Sequence, residues 1–354
     1  MPAQPVIFAA DAAVALQQAI ADIQPDRCVV LCDDVTCRLC LPLTEQAVGG
    51  LPVVCIASTD SHKNLDSLTH VWQELQRLGA TRHSLMVNLG GGMVTDLGGF
   101  AASTFKRGLH FVNIPTTLLA MVDASVGGKT GINFGQLKNE IGVFRNADRV
   151  IIDTRFLATM DRSNMLSGYA EMLKHALIST DTSMLAELLT FDIEQPDLGR
   201  LQQMVRQSVA VKQRIVTEDP LEQGLRKALN LGHTAGHAFE SWSLARSGTG
   251  SCTPMLHGYA VAYGLVVELY LSTTKAGFPT ERLRQLTAFV RRHYGQAAIT
   301  CRDYPQLLSL MHHDKKNVGA DINFTLLTDV GRLLINQTAT ESEICEALDF
   351  YREG

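Results

Sequence analysis

The sequence predicts an α/β, Rossmann-like N-terminal domain over residues 1–160, followed by a mostly α-helical C-terminal domain over 161–354. Three observations predict it. In the first 160 residues short β-rich runs alternate with segments of helical period, the pattern of a parallel sheet covered on both faces. From Asp161 onward apolar residues recur mainly at spacings of three and four. The chain has 354 residues, 46% of them hydrophobic, and so has room for roughly two domains of about 100–200 residues.

Taken in order, the first strand is Cys28–Cys32, a short apolar run that follows the helical stretch Ala12–Ile23. Val53–Ala57 comes next, then the helix Leu65–Leu78, then strands at Ser84–Leu89, Leu109–Ile114 and Arg149–Ile152. In the second half, helices are predicted at Met165–Ile178, Asp181–Leu189, Leu198–Val216, Leu225–Trp242, His257–Ala276 and Thr280–Tyr294. A small hairpin is predicted from Asn323–Thr328 and Arg332–Asn336, and Ser247–Pro254 reads as a loop.

Charge narrows the function. There are 31 Lys and Arg against 36 Asp and Glu, for a net charge of −5, which argues against a nucleic-acid or anionic-membrane binder. Any anion must meet a local cationic cluster. No run approaches the roughly 20 apolar residues of a membrane span; the best, Leu256–Leu271, contains His257 and Glu268. No Lys or Arg precedes Arg27, so a signal peptide's basic start is missing and a cytoplasmic enzyme is expected. Four of the 8 cysteines fall at positions 28, 32, 37 and 40. They lack the two separated CxxC pairs of a zinc ribbon, and all eight are expected to be reduced thiols.

Three motifs carry chemistry. In the first, the strand ending Val87-Asn88-Leu89 runs into Gly90-Gly91-Gly92 and then a helix through Asp96 and Gly99. Glycines admit a pyrophosphate close to backbone N–H groups at a helix start, although a tight structural turn reads the same way. The second is Asp123-Ala-Ser-Val-Gly-Gly-Lys129-Thr, preceded by Pro115-Thr116-Thr117 and followed by Lys138-Asn139. It lacks the first glycine of a phosphate-binding GxxxxGK[ST] loop, which leaves a solvated loop or an anion site. In the third, Glu171, Lys174 and His175 share a helical face, His233 and His237 stand four apart, and His257 follows a loop. Such a set suits a catalytic Zn²⁺ with an open position, although position 234 is Thr rather than the Glu of HExxH and a lone HxxxH pair is more often structural. Glu222, Arg226 and Asn230 lie just upstream of His233, and Lys212 and Asp314-Lys315-Lys316 add the cations that a phosphorylated, carboxylated substrate needs.

Together, Gly90–Gly99, Pro115–Asn133, Lys138–Phe144, Gly168–Lys174, Leu229–His237 and Leu256–Gly258 resemble the 3-dehydroquinate synthases of the sugar-phosphate cyclase family, over residues 55 to 330. The pairing of Leu-Asn-Leu-Gly-His-Thr-Ala-Gly-His with Val-Asp-Ala-Ser-Val-Gly-Gly-Lys-Thr is what makes it specific. The resemblance implies a dehydroquinate synthase-like fold, with NAD and Zn²⁺ (Co²⁺ as the alternative metal) as cofactors. The implied reaction converts 3-deoxy-D-arabino-heptulosonate 7-phosphate to 3-dehydroquinate and phosphate in the shikimate pathway. It proceeds by transient oxidation, phosphate elimination, re-reduction and aldol closure.

Residue by residue, the resemblance implies metal ligands Glu171, His233 and His257. It implies acid–base groups His237 and Glu222, and substrate contacts at Asp123, Lys129, Asn139, Lys174, Lys212, Arg226, Asn230 and Lys315. NAD contacts are implied at Asp60, Lys63, Gly91, Gly92, Asp96, Thr116, Thr117, Lys138, Phe156 and Thr159. Arg107 is implied to reach the site of a neighbouring subunit, hence a homodimer.

The sequence departs from the family at Ser58-Thr59-Asp60, where Gly-Glu is usual before the ribose-contacting Lys63. It departs also at Tyr259, where an acidic residue is usual, and at Met160-Asp161 in place of Leu-Pro. The competing readings are a sister cyclase acting on sedoheptulose 7-phosphate or an amino substrate, and a metal-dependent polyol dehydrogenase. Arg226 and Asn230 oppose a substrate without a carboxylate.

Overall fold

The computed structural model describes residues 4–135, 137–247, 254–312 and 322–354. Lys315 and Lys316 lie outside the described residues, as does most of the Ser247–Pro254 loop. The chain forms two compact units: residues 1–161 with 198–217, and residues 162–197 with 218–354.

The first unit is built on β1 (Val6–Phe8), α1 (Ala12–Ile23), β2 (Cys28–Asp33), α2 (Asp34–Leu39), α3 (Glu45–Val48), β3 (Val53–Ile56), α4 (Leu65–Arg77), β4 (Leu85–Gly90), α5 (Gly92–Thr104), β5 (His110–Pro115), β6 (Lys129–Phe134), β7 (Leu137–Phe144) and β8 (Arg149–Ile152). Six strands form one sheet in the order β1-β8-β5-β4-β2-β3, every neighbouring pair parallel. Strand β4 is buried at all six residues, which is why it reads as apolar but for Asn88, whose amide donates to Asn113 of β5 at 2.8 Å. From β2 the chain moves outward to β3; from β4 it moves the other way to β5. The carboxyl end of β4 is therefore the switch point where an α/β sheet opens a crevice for a ligand.

Three features of this unit differ from the sequence reading. Val6–Phe8 forms an edge strand too short to carry a period. Lys129 to Phe144, where no strand is predicted, forms the antiparallel β6–β7 hairpin, with Lys129 opposite Phe144. The Cys32 and Cys37 sulfurs are joined in a disulfide, so the expectation of eight thiols fails for this pair. The capping box of Asp33 and Thr36 turns the chain at the end of β2, so the two Cα atoms come within 5.6 Å. Cys28, Cys40, Cys55, Cys301 and Cys345 remain thiols.

The chain continues through α6 (Arg162–Ile178), α7 (Ser183–Thr190) and α8 (Leu198–Glu218), then α9 (His233–Ser247), α10 (His257–Ala276), α11 (Thr280–Tyr294) and α12 (Tyr304–His312), and finally β9 (Asn323–Asp329), β10 (Arg332–Thr338) and α13 (Glu341–Glu353). The sequence assigns residues 198–217 to the helical domain; the structure groups them with the first unit. Gln213 on α8 donates to the Gln4 carbonyl at 3.2 Å, and Arg206 stacks on Phe8. Amphipathic period shows that a helix needs a partner surface but not which one.

In the second unit, α6 is buried at every residue from Met165 to Ile178 and forms its centre. Its packing is pinned by phenol donors: Tyr169 to the Leu188 carbonyl at 2.8 Å, and Tyr294 to that of Leu166 at 2.9 Å. Among the described residues, no helix is long and apolar enough to cross a membrane.

Candidate active site

Within the second unit, the buried helix α6 carries ionisable side chains where only apolar ones are comfortable. Glu171, Lys174 and His175 are at most 1% exposed. Such groups persist in a core only when paired or put to use. Glu171 faces two imidazoles: its Oε1 lies 3.4 Å from Nε2 of His233 and 3.3 Å from Nε2 of His257. Lys174 is ion-paired with its Oε2 from the next turn. Even so, neither Glu171 oxygen accepts a hydrogen bond of good geometry. Burial alone would raise the Glu171 carboxyl, but Lys174 and His233 hold it well below the usual carboxylate range.

Local backbone sets the imidazoles. The expected single helix Leu225–Trp242 is two pieces, a tight turn over Leu225–Asn230 and then α9, because Gly232 at φ 78° breaks the period. Helix α9 starts at His233, and its Nδ1 lies 3.1 Å from the Leu231 carbonyl. Its opening N–H groups are satisfied by Glu268 of α10, fully buried, which accepts from Gly232 at 2.7 Å and Ala235 at 3.1 Å. The signal for Glu268 in the sequence is a carboxylate inside the apolar run Leu256–Leu271, with nothing to show its partners. Glu240, whose Oε2 lies 3.4 Å from Nδ1 of His257, has no comparable signal.

Burial opposes charge on His257, yet Glu240 and Glu171 outweigh it and push the imidazole up to about 10. His237 stands one turn along α9, its ring centroid 5.3 Å from that of His233 and 6.1 Å from that of His257. Tyr259 packs its ring on Tyr294 with centroids 5.1 Å apart.

One donor atom from each of Glu171, His233 and His257 lies within 4.8 Å of the other two. Two nitrogens and one carboxylate oxygen, with that carboxylate buried and poorly satisfied, fit a zinc-type cation. Beside this set, the Asp219 carboxylate accepts from the backbone of Gln223 at 2.9 Å, Gly224 at 2.7 Å and Arg226 at 3.0 Å, shaping the loop that presents Glu222 and Arg226. Burial pushes the Asp219 carboxyl up, but these N–H groups bring it below its ordinary value. Asn230 donates to Glu222 at 3.0 Å, and Arg226, 3% exposed, donates to the Pro220 carbonyl at 2.8 Å.

Within the first unit, the glycine turn lies at the end of β4. The Thr116 N–H donates to the Gly90 carbonyl at 3.0 Å, bringing Thr116 and Thr117 alongside. A Cβ on Gly91 would stand 3.1 Å from the Thr117 methyl, and one on Gly92 3.2 Å from that of Ala124. The Thr116 hydroxyl is buried with only the Cys40 thiol, a weak partner, beside it. A bare helix N-terminus beside a poorly satisfied buried hydroxyl fits a dinucleotide.

Lys63 pairs with Asp96 at 2.5 Å and donates to Asn139, while Lys138 pairs with Asp60 at 2.9 Å. Burial raises the Asp96 carboxyl, with Lys63 opposing it. Phe156 and Thr159 lie on the turn Thr154–Thr159, which Asp153 caps through the Arg155 N–H at 3.0 Å. Asp123 sits in a π-helical turn, gripped by Lys212, whose Nζ is 2.5 Å from Oδ1 and 2.6 Å from the Asp123 carbonyl. Lys129 and Arg107 are exposed, and Arg107 has a left-handed backbone at φ 67°.

Both halves of the chain match one family of known proteins. The 3-dehydroquinate synthase N-terminal family profile matches residues 53–167, and the C-terminal profile matches 168–317. The 3-dehydroquinate synthase of Parabacteroides distasonis is 51% identical, covering 100% of this chain and 99% of that protein. That of Pyrococcus abyssi is 35% identical over 92% and 94% of the two chains.

Among solved structures, the fold is shared with a 2-epi-5-epi-valiolone synthase of Streptomyces hygroscopicus bound to NAD⁺ and Zn²⁺ (TM-score 0.85, 24% identity, 100% and 98% of the chains). It is shared also with a 2-deoxy-scyllo-inosose synthase complexed with carbaglucose-6-phosphate, NAD⁺ and Co²⁺ (TM-score 0.84, 22%, 99% and 96%). With both halves matched and a relative 51% identical along its whole length, the chain belongs to the 3-dehydroquinate synthase family.

Proposed function

We propose that this chain converts 3-deoxy-D-arabino-heptulosonate 7-phosphate to 3-dehydroquinate and phosphate, as a phosphorus–oxygen lyase of the cytoplasm using NAD and zinc. The observation that carries the reading is the convergence of Glu171, His233 and His257 around one point, with Lys174 and His237 beside it. Glu171, His233 and His257 would hold Zn²⁺ or Co²⁺. The glycine turn, Thr116, Thr117, Asp96, Lys63, Asp60, Lys138, Phe156 and Thr159 would hold NAD. When bound, the metal supplies a Lewis acid for substrate oxygens and NAD supplies a hydride acceptor that is regenerated in each turnover.

The protein's own groups then divide the work. Arg226 offers the planar fork that a carboxylate prefers. Its attachment to the Pro220 carbonyl fixes the fork's direction before substrate arrives. Glu222 and His237 exchange protons with the substrate, and the Asn230 amide holds the Glu222 carboxylate in one rotamer. Lys174 lends a buried positive charge to an oxygen that becomes anionic. Lys212 holds Asp123, so that an acceptor for a substrate hydroxyl is fixed in place. Lys129, Asn139 and Lys315 complete the polar contacts.

The reading includes a homodimer in which Arg107 serves the neighbouring site. Two features support it. Phe134, Ile141, Val143 and Phe144 are exposed apolar residues of the β6–β7 hairpin. Arg145, next to Phe144, donates to the Leu109 carbonyl at 2.8 Å and so ties the hairpin to the turn bearing Arg107.

The test is phosphate release from the heptulosonate phosphate with catalytic NAD and Zn²⁺. Turnover without net NADH is expected. An absence of phosphate, or NADH accumulating in step with substrate, would overturn the reading.

A further inference from the structure

We infer that Glu240 is a positioning residue of the metal site: it fixes the His257 tautomer so that Nε2, not Nδ1, meets the cation. This rests on the zinc reading above. A neutral imidazole has one N–H and one lone pair, and a metal needs the lone pair. Glu240 is 6% exposed, and its Oε2 lies 3.4 Å from Nδ1 of His257. An ionised carboxylate only accepts, so the hydrogen belongs on Nδ1 and the lone pair on Nε2. That same Nε2 is the atom 3.3 Å from Glu171.

His233 is set the same way by a different group. Its Nδ1 faces the Leu231 carbonyl at 3.1 Å, and its Nε2 lies 3.4 Å from Glu171. The two ligands thus differ in support. His233 leans on a neutral backbone oxygen, which no substitution removes, while His257 leans on a carboxylate, which also raises ligand basicity. Glu240 and His237 lie three apart on α9, so the helix that presents one ligand at its first residue also carries the group that orients another.

The experiment titrates Zn²⁺ into the full-length metal-free protein against a chromophoric chelator, for wild type, Glu240→Ala and Glu240→Gln. Loss of an outer carboxylate commonly weakens metal binding about 10–100-fold, and that is the effect expected of Glu240→Ala. Glu240→Gln retains an oxygen that accepts from Nδ1, so it should recover part of the loss. A Co²⁺-loaded Glu240→Gln protein should keep the wild-type visible band, because the ligand count is unchanged. Wild-type affinity in Glu240→Ala, or a Gln variant no better than Ala, would overturn the inference.

Should Glu240→Ala fail to fold, ¹⁵N-histidine spectra of zinc-loaded wild type decide the point. Nδ1-protonated His257 is expected, and Nδ1 coordination would refute it. Wild-type protein that takes up no zinc would sink the zinc reading and this inference together. Tight wild-type binding with unaltered Glu240→Ala sinks this inference alone.

Discussion

Gly258, the second residue of α10, lets His257 come up to Glu171. In a helix, Gly→Ala ordinarily stabilises by about 0.5–1 kcal/mol, because alanine has less backbone freedom to lose. Here the sign should reverse. A Cβ on Gly258 would lie 1.9 Å from the Ser167 carbonyl oxygen, where ordinary contact begins at 3.4 Å, so α10 must retreat from α6 by about 1.5 Å. Both are backbone-borne, and Gly258 also donates its N–H to the Ser167 hydroxyl at 3.1 Å, so no flexible side chain can absorb the clash.

Gly258 adjoins His257, and Ser167 lies one turn before Glu171. The 3.3 Å approach of His257 to Glu171 would therefore be lost, against a tolerance of about 0.2 Å in metal–ligand distances. Overpacking of this kind costs about 1–3 kcal/mol. If the helix relaxes outward in the metal-free protein, that energy reappears as a 5–150-fold loss of Zn²⁺ affinity. Chelator competition reads the affinity, and circular dichroism melting reads a Tm lowered by a few degrees. Gly258→Ala protein with wild-type zinc affinity and an unchanged or higher Tm would refute the close-approach reasoning.

Three further outcomes are expected. Thr116→Val removes a buried hydroxyl whose neighbour is only the weakly bonding Cys40 thiol, so stability should hold or rise while NAD binding weakens about 2–12-fold, one hydrogen bond's worth; unchanged affinity by fluorescence titration would remove Thr116 from the NAD site. Zinc uptake at pH 7 should release protons, and affinity should rise with pH. In the metal-free site Glu240 and Glu171 keep His257 protonated up to about 10, and zinc must displace that proton; calorimetry in buffers of different ionisation enthalpy that finds no release would contradict this. Mixed dimers of Arg107→Ala and His257→Ala subunits should regain activity that neither parent dimer has, since one site then combines an intact His257 with its neighbour's intact Arg107. Mixtures as inactive as the parents would place Arg107 in its own subunit's site.

Local features were legible in the order of residues alone. Burial on both faces left β4 apolar apart from Asn88, and the glycines from its last residue onward marked the turn at its end. Glu171, Lys174 and His175 were legible because charges are rare on a segment otherwise apolar on every side. The zinc-type set was readable as residue types at helical spacing and after a loop, while the choice of Glu171, His233 and His257 among the histidines rested on the family resemblance.

Only the tertiary structure decided the rest, because those features depend on contacts distant in sequence. The Lys129–Phe144 hairpin is held by pairing across strands and against α5, which polar motif residues do not announce. Helix α8 joins the first unit because of what it packs on, and its own period is silent about that. The Cys32–Cys37 bond follows from the angle at which Asp33 turns the chain.

Glu240 and Glu268 act through atoms 17 and 36 residues away along the chain. A lone carboxylate on a helix shows nothing of its acceptor geometry until the facing helix is in place. Residue chemistry is a property of sequence. The meeting of three donor atoms at one point is a property of helices that approach closely enough, at Gly258, for it to happen.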